Sequence, residues 1–300
     1  MNTINKYVWL VETIYEARRI TFEDLNKKWL ADKDMSEGVE LSLRTFHKWR
    51  IAAEELFGLC IECERKGGYH YYIENTQELS GGSFRSWLFN NIAVSNLLLS
   101  NRQLKDRILL ETIPAGRAHL PVILESMKKG ITLHITYRSF WLDKSNSFDV
   151  EPYCVKLFKQ RWYMVARSPY YDKVMIYALD RIEDLSLLPD KLFAVPDDFS
   201  PEAYFEDSYG IIVGDDTPVQ TVRLKVQSEQ ARYLRSLPLH SSQREIQSDE
   251  DFTIFELRLR PTFDFVQELL LHTPDIEVLE PQSLREEVAR KLTEGARAYK

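Results

Sequence analysis

Two short runs of β-branched and aromatic residues in the middle of the chain constrain its fold most. Residues 161–167 are Arg-Trp-Tyr-Met-Val-Ala-Arg, and residues 174–182 are Val-Met-Ile-Tyr-Ala-Leu-Asp-Arg-Ile. Side chains of these types favour strands, and the Ser-Pro-Tyr-Tyr-Asp-Lys segment between the runs is typical of a turn. The two runs are therefore predicted to be short strands that are joined by this turn.

Each of these two strands carries an arginine at its end. Because side chains alternate between the faces of a strand, Arg167 shares a face with Tyr163 and Val165, and Arg181 closes the second strand. A half-buried arginine needs anionic or hydrogen-bonding partners. Two interpretations stay open: both arginines bind an anionic ligand, or nearby carboxylates neutralise them. The candidate carboxylates are Asp180 and Glu183.

This region resembles the WYL domain of bacterial transcription regulators. The resemblance rests on the Trp-Tyr-aliphatic triplet, on the Leu-Asp-Arg-Ile that follows, and on Phe-Ala-Val-Pro-Asp-Asp-Phe at residues 193–199. Upstream, residues 135–138 and 150–152 match the first two strands of the family. Met164 stands where the family usually has leucine, and Ala178 where many relatives have a further arginine.

The resemblance continues to the C-terminal part of the chain. Residues 275–281 and the helix after them are similar to an extension found in the same regulators. The resemblance covers about residues 115–300, and the order of several motifs makes it more specific than the triplet alone. It implies an Sm-like, strongly bent β-domain over residues 131–200 that senses a nucleotide or nucleic-acid ligand.

The predicted ligand site combines two sources of inference. The resemblance implicates Tyr137, Tyr163 and Arg181 at matching motif positions. Strand alternation and charge add Arg138, Ser139 and Arg167. Arginine offers a planar fork of donors to phosphate, and tyrosine rings offer stacking surfaces to bases. For Trp162 a role in the core is predicted instead.

The composition limits the class of protein. The chain has 300 residues, 44% of them hydrophobic, which is enough for two or three domains. It has no apolar run long enough to span a membrane and no apolar signal-peptide core at the N-terminus. Three cysteines are too few for a disulfide framework. A cytoplasmic location is expected, and a net charge of −7 restricts any nucleic-acid contact to a local patch.

The N-terminal residues 1–78 have the pattern of a winged helix-turn-helix, which is a DNA-binding domain. Apolar residues recur at helical spacing over residues 5–17, and Thr21 is predicted to cap a second helix. After a polar loop at residues 32–40, a third helix carries a buried stripe that begins at Leu43. Gly58 ends this helix, and residues 61–73 read as a β-hairpin with a Gly-Gly turn.

In such domains the third helix enters the major groove of DNA. The residues predicted to contact DNA lie at its N-terminal end and in the hairpin turn: Ser42, Arg44, Thr45, His47, Lys48, Arg65 and Lys66. Residues 1–73 hold eleven basic and twelve acidic residues, a net charge of −1, but residues 42–50 contain three cations and no acid. Local charge governs phosphate binding within a Debye length of about 10 Å. A protein-interaction module with a solvated charged face is the alternative.

Cys60 and Cys63 form a Cys-x-x-Cys motif. Zinc needs four ligands, and the only nearby candidates for the others are His47 and His70. Residues three apart on a strand also point to opposite faces. Two thiols that act as small hydrophobic groups are therefore predicted, with no metal and no cofactor.

The remaining segments complete an α+β multidomain fold. Residues 75–83 read as a linker, and the apolar helices predicted over residues 79–130 either pack against the β-domain or form a dimer contact. Residues 217–300 are expected to be ferredoxin-like, with the order β-α-β-β-α-β. A final helix is predicted to begin at Ser283 with a capping box to Glu286. Its inward side is predicted to carry Leu284, Val288, Leu292 and Tyr299.

The sequence contains no Walker loop, zinc-protease pair, serine elbow or dinucleotide fingerprint. We therefore expect that the protein is not an enzyme. We expect a homodimeric transcription repressor that binds an operator in double-stranded DNA and responds to its ligand. The alternatives are a scaffold that uses the winged helix to bind a protein, and a metal-dependent nuclease that uses acidic clusters. Related regulators often accompany phage-defence genes.

Overall fold

The computed structural model describes residues 3–80, 83–100, 107–108, 115–140, 144–214 and 216–299. The chain forms two compact units, residues 1–111 and 112–300. In the described residues the strands form three antiparallel sheets among helices, which confirms a mixed α and β multidomain protein. No helix within these ranges is long and apolar enough to cross a bilayer.

The first unit contains mainly helices and one small sheet. Its elements are α1 (Thr3–Ala17), β1 (Ile20–Thr21), α2 (Phe22–Ala31), α3 (Lys33–Ser36), α4 (Leu43–Phe57), β2 (Ile61–Glu64), β3 (His70–Ile73), α5 (Gln77–Ser80) and α6 (Phe84–Ser100). The strand order is β1-β3-β2. The core of this unit includes Phe46 and Phe57 of α4 and Phe89 of α6.

Local signals in the sequence set the helix ends of this unit. The side chain of Thr21 accepts a hydrogen bond from the backbone N–H of Asp24 at 3.2 Å, as predicted. Ser42 caps α4 in the same way, through the N–H of Thr45 at 3.1 Å. Gly58 ends α4 with φ of +70°, a conformation that costs glycine little.

Three details of the first unit differ from the sequence prediction. Leu43, predicted in the buried stripe, is 49% exposed because it directly follows the Ser42 cap and points away from the core. The polar segment 32–40 contains α3, which is capped by Asp32 through the N–H of Met35. The predicted linker 75–83 contains α5.

The second unit begins with a five-stranded sheet. Its elements are α7 (Leu120–Lys129), β4 (Ile131–Tyr137), β5 (Asn146–Phe158), β6 (Arg161–Ser168), β7 (Lys173–Ala178) and β8 (Ile182–Leu192), with the strand order β7-β6-β5-β4-β8. Met164 and Ala166 of β6 pack against Ile123 of α7 in the core. The second predicted strand ends early, at Ala178, and Leu179–Arg181 forms a 3-10 turn.

The rest of the second unit contains a four-stranded sheet. Its elements are α8 (Pro201–Phe205), β9 (Gln220–Gln227), α9 (Ser228–Ser236), β10 (Arg244–Ser248), β11 (Phe252–Leu259), α10 (Phe263–Leu271), β12 (Ile276–Glu280) and α11 (Gln282–Arg297), with the strand order β10-β11-β9-β12. Alternate residues of β9 and β11 face the core, among them Leu224 and Phe255.

The start of the last helix was predicted incorrectly. The N-cap of α11 is Pro281, which forms no side-chain capping bond, so the predicted box between Ser283 and Glu286 is wrong. Leu292 is 39% exposed and Tyr299 is 94% exposed, so neither lies in the core as expected.

Candidate functional site

The N-terminal end of α4 holds most of the residues predicted to contact DNA. Ser42 and Thr45 are engaged with each other, because their hydroxyl oxygens lie 2.8 Å apart in addition to the capping bond. His47 is half-buried, with its ring 5.2 Å from that of Phe46. These three side chains therefore help to fix the helix end and leave the cations as its free groups.

Four exposed cations lie on α4 and on the turn between β2 and β3. Arg44 and Lys48 are exposed on the first turns of α4, and Arg65 and Lys66 are exposed in the hairpin turn. None of them forms an ion pair with any residue that the structure describes. A cation without a protein partner keeps its full charge available to phosphate.

Arg50, on the same helix, has a structural role instead. Its Nη1 donates to the carbonyl of Ile61 at 3.5 Å, and its Nε lies 3.9 Å from the Glu54 carboxylate. Glu54 in turn accepts from the N–H of Ile61 at 2.9 Å. These contacts attach the start of the hairpin to α4.

Apolar surface lies beside the predicted DNA-binding residues. Leu43 and Tyr69, which is 62% exposed, line a groove of about 440 Å³ together with Phe22 and Tyr71. Neither exposed side chain is needed for the core. This surface can contact thymine methyl groups in DNA or an apolar patch of a protein.

The Cys-x-x-Cys motif forms no set of zinc ligands in the described residues. Cys60 groups with the carboxylates of Glu62 and Glu74, whereas Cys63 and the two histidines considered for zinc lie outside this group. The Cys60 thiol donates to Glu62 at 3.4 Å. This bond, burial and Glu74 together raise the pKa of Cys60 to about 11, which keeps the thiol protonated.

In the five-stranded sheet, Tyr137 connects β4 to β7. Its hydroxyl oxygen accepts from the backbone N–H of Ala178 at 3.2 Å, and its ring meets that of Tyr177 edge-on at 5.3 Å. Tyr163 is buried in β6 and pairs in register with Ala178. The two tyrosines implicated by the family resemblance thus lie next to the same residue.

Arg181 lies three residues after Ala178, at the end of the 3-10 turn. Its guanidinium is 3.6 Å from the centre of the Phe140 ring, and Phe140 is 72% exposed. The Nε of Arg181 is buried without a hydrogen-bond partner among the described residues. A buried donor without an acceptor is costly, so this group is suited to receive an acceptor from a ligand.

Arg138 and Ser139 extend this cluster. The backbone N–H of Arg138 donates to the carbonyl of Arg181 at 3.0 Å, which holds the end of β4 against the turn. The Arg138 side chain is 69% exposed and lies 3.9 Å from Glu183. Ser139 is half-buried. The structure therefore brings Tyr137, Arg138, Ser139 and Arg181 together.

Arg167 lies apart from this cluster and is held by two carboxylates. Its Nη1 donates to Glu151 at 2.8 Å and its Nη2 to Asp172 at 2.7 Å. Hydrogen bonds to Glu151 and then to Asp172 raise the pKa of Arg167 further above its usual range. Arg167 is four residues beyond Tyr163 along β6, a distance of about 13 Å.

The interpretation that carboxylates neutralise the two arginines holds for Arg167, but its partners are Glu151 and Asp172 and not the candidates Asp180 and Glu183. Arg181 forms no ion pair with a carboxylate among the described residues. Asp180 lies 3.3 Å from Arg161, and Glu183 faces Arg138. The 3-10 turn explains the difference, because it removes Asp180 and Arg181 from the alternation of a strand.

Comparison with known families and structures agrees with the resemblance seen in the sequence. The model of the WYL domain matches residues 118–187, and the model of the WCX domain matches residues 218–296. The chain carries a WYL domain and a WCX domain. A search of curated protein sequences finds no match.

Two solved structures are similar to the chain. Proteasome accessory factor B/C (PafBC) of Arthrobacter aurescens has 18% identity and a TM-score of 0.38, over 97% of this chain and 47% of that one. The chain therefore spans about half the length of PafBC. A CRISPR Cas-related protein has 12% identity and a TM-score of 0.40, over 99% of this chain and 84% of that one.

Two residues beside the cluster of Tyr137, Arg138, Ser139 and Arg181 were not predicted from the sequence. Phe140 supplies the ring beneath Arg181, and Arg161 pairs with Asp180 beside it. Phe140 follows the predicted residues Arg138 and Ser139 directly, and this adjacency of an aromatic residue to two predicted ligand residues was the signal in the sequence.

Proposed function

We propose that the chain is a DNA-binding transcription regulator, a repressor, whose WYL domain senses a nucleotide or nucleic-acid effector. In this proposal residues 1–78 act as a winged helix-turn-helix, the WYL domain is Sm-like, and residues 217–300 form a ferredoxin-like domain. No catalytic role is proposed.

The observation that carries the DNA-binding part is the group of four exposed cations on α4 and the hairpin turn. Arg44 and Lys48 are one helical turn apart and share a face of α4. An arginine can donate two hydrogen bonds to guanine, and a lysine suits phosphate. The order of helices, strands and hairpin supports a helix that enters the major groove.

The observation that carries the effector part is the unsatisfied Nε of Arg181 above the Phe140 ring. A phosphate or base oxygen that accepts from this group would remove an uncompensated donor. An effector that binds more tightly to one dimer geometry shifts the population toward that geometry. In our proposal this geometry no longer matches the spacing of the operator half-sites.

The test is binding of the purified full chain to DNA from its own upstream region, measured by fluorescence anisotropy over a series of salt concentrations. We expect tight binding whose logarithm falls linearly with the logarithm of salt. Addition of a single-stranded oligonucleotide or of a nucleotide mixture should release the DNA. No binding to any upstream fragment at low salt would refute the DNA-binding proposal.

One observation favours a second function, the binding of a protein partner. Leu43 and Tyr69 are exposed beside the cations and line an apolar groove. Exposed apolar patches of this kind mark interaction sites. Partner binding that is lost in Leu43→Ser and Tyr69→Ser, in the absence of DNA binding, would favour this function.

A further inference from the structure

An open cavity of about 760 Å³ lies at the surface of the second unit, near the β5–β6 turn and the helices α9 and α10. Phe158 and Lys159 form one part of its wall, and Leu234 and Leu237 form another. Cavities of about 300–1,000 Å³ with mainly apolar walls and a few polar groups hold small molecules. These two parts of the wall belong to different domains, the WYL domain and the WCX domain.

A connected set of polar groups lines one side of this cavity. The Glu268 carboxylate is only 12% exposed and accepts from the Lys159 ammonium group at 2.6 Å. It also lies 3.2 Å from Nε2 of His272, whose Nδ1 is 3.2 Å from the amide nitrogen of Gln230. Because a carboxylate only accepts, Nε2 of His272 carries a proton and Nδ1 accepts from Gln230.

The charge of Glu268 is thus satisfied from within the protein. Burial raises its pKa, but hydrogen bonds from Lys159 and Tyr209, with further help from His272, outweigh burial and lower the pKa. The carboxylate is therefore ionised and fully occupied by donors. It does not require a cation from a ligand.

The Lys159 ammonium supplies a cation with further donors at the cavity. It has three N–H donors, uses one on Glu268, and its side chain is 57% exposed. It lies 5.6 Å from the ring centres of both Phe158 and Tyr209. The cavity therefore offers an anion-binding donor next to two aromatic rings and a leucine-rich wall.

We propose that this cavity binds a small amphipathic aromatic anion. Its ring system packs against the aromatic residues Phe158 and Tyr209 and the part of the wall formed by Leu234 and Leu237. Its carboxylate, sulfonate or phosphate accepts hydrogen bonds from Lys159. Such an occupant contacts the WYL and WCX domains at the same time, and its binding does not depend on the proposed DNA-binding function.

The probe for this site is 8-anilinonaphthalene-1-sulfonate, an aromatic anion whose fluorescence rises when it enters an apolar site. Titration of the full chain should give a saturable signal. Lys159→Gln should weaken binding about tenfold, the effect of losing one hydrogen bond to a charged group. Leu237→Asp should weaken binding at least as much, because it replaces an apolar wall with a negative charge.

Each variant has a matched control in the second unit. Lys129 pairs with Glu125 at 2.6 Å and is 54% exposed, so Lys129→Gln removes a comparable ion pair away from the cavity. Leu192 is 74% exposed and Leu237 79%, so Leu192→Asp changes a comparable surface residue. Both controls should bind the probe within twofold of the unaltered chain.

Thermal unfolding of every variant separates loss of the site from loss of the fold. Leu237 is exposed, so Leu237→Asp should keep the unfolding midpoint even if Lys159→Gln lowers it. Three results would each overturn the proposal. The first is unchanged probe binding in Lys159→Gln and Leu237→Asp, and the second is an equal loss of probe binding in the two controls. The third is the absence of saturable probe binding to the unaltered chain.

Discussion

The guanidinium of Arg181 lies 3.6 Å from the centre of the Phe140 ring, while its Nε is buried without a hydrogen-bond partner among the described residues. A guanidinium that stacks on an aromatic ring is held in one plane. An unsatisfied buried donor lowers stability unless an acceptor arrives. This arrangement orients a donor without an acceptor, which supports the proposal that an anionic ligand binds at Arg181.

Arg181→Lys should weaken effector binding at least about tenfold, because lysine cannot present the planar fork or the Nε donor. The measurement is fluorescence anisotropy of a labelled single-stranded oligonucleotide with the full chain. Arg290, exposed on α11 outside the WYL domain, provides the control Arg290→Lys. DNA binding at the operator should be kept in both variants.

Unchanged oligonucleotide binding in Arg181→Lys would show that Arg181 does not contact the effector. If Arg181→Lys binds the oligonucleotide as tightly as the Arg290→Lys control does, the unsatisfied Nε is only a local cost of the fold. Phe140→Ala tests the ring separately, and it should weaken binding less, by the loss of a cation–π contact of about 1 kcal/mol.

Arg167→Met should reduce stability rather than effector binding. The change leaves Glu151, whose side chain is 14% exposed, without its cation. Because the Arg167 side chain is 35% exposed, solvent screening limits the loss of unfolding free energy to about 1 kcal/mol. Urea unfolding measures this loss, and the double variant with Glu151→Gln should recover part of it.

Effector binding separates the two interpretations of Arg167. A marked loss of oligonucleotide binding in Arg167→Met, with unfolding free energy unchanged, would show that Arg167 contacts the ligand and that its ion pairs are secondary. If Arg167→Met binds the oligonucleotide as tightly as the unaltered chain does, Arg167 is a structural residue of the hairpin formed by β6 and β7.

The sequence predicted those parts of the fold that local rules decide. The cap at Thr21 and the helix end at Gly58 are set by neighbours within a few residues. The strand β6 was predicted because its β-branched and aromatic residues occur together. Such features need no knowledge of distant contacts.

The features that were missed depend on distant contacts. All five residues of β10 are exposed, so no alternation located its residues, although the predicted order of elements included a strand there. The 3-10 turn at Leu179–Arg181 interrupts an apolar run that favours a continuous strand. In the candidate site, the partners Glu151 and Phe140 lie 16 and 41 residues from Arg167 and Arg181 along the chain. Sequence spacing alone does not bring such pairs together.

Arg44→Ala and Lys48→Ala should each weaken DNA binding and make it less sensitive to salt. Each removes one exposed cation that pairs with no carboxylate among the described residues, so the slope of log K against log salt should fall by about 1. Lys33→Ala, on α3, is the control outside the predicted DNA-binding residues.

Arg44→Ala should also reduce discrimination between operator and random DNA, by about 1–3 kcal/mol if its contact is to guanine. Unchanged slopes in both variants would exclude α4 from the DNA interface.

The burial of Lys156 should make the unfolding free energy depend on pH. Its ammonium group donates to the carbonyl of Gly210 at 2.7 Å and lies 3.6 Å from the centre of the Phe205 ring. Gly210 passes so close to Asp264 that a Cβ there would collide with the carboxylate. Burial lowers the pKa of Lys156 to about 8, although Asp264 and Cys154 act to raise it.

The sign of the effect follows from proton binding. Between pH 8 and the ordinary value of 10.5, the unfolded chain holds a proton on Lys156 that the folded chain has largely lost. This residue therefore contributes a rise in unfolding free energy as pH increases through that window, and its full cost is present below pH 8. Lys156→Met should remove this rise.

Urea unfolding at about pH 7.5 and about pH 10 measures how the unfolding free energy of the unaltered chain and of Lys156→Met changes with pH. Other lysines and tyrosines also titrate in this range, so the comparison uses Lys129→Met, which removes an exposed lysine of α7. The unaltered chain and Lys129→Met should show the same dependence on pH, and Lys156→Met a weaker rise. If all three change alike, Lys156 is charged in the folded protein throughout the window, and its contacts with Gly210 and Phe205 offset its burial completely.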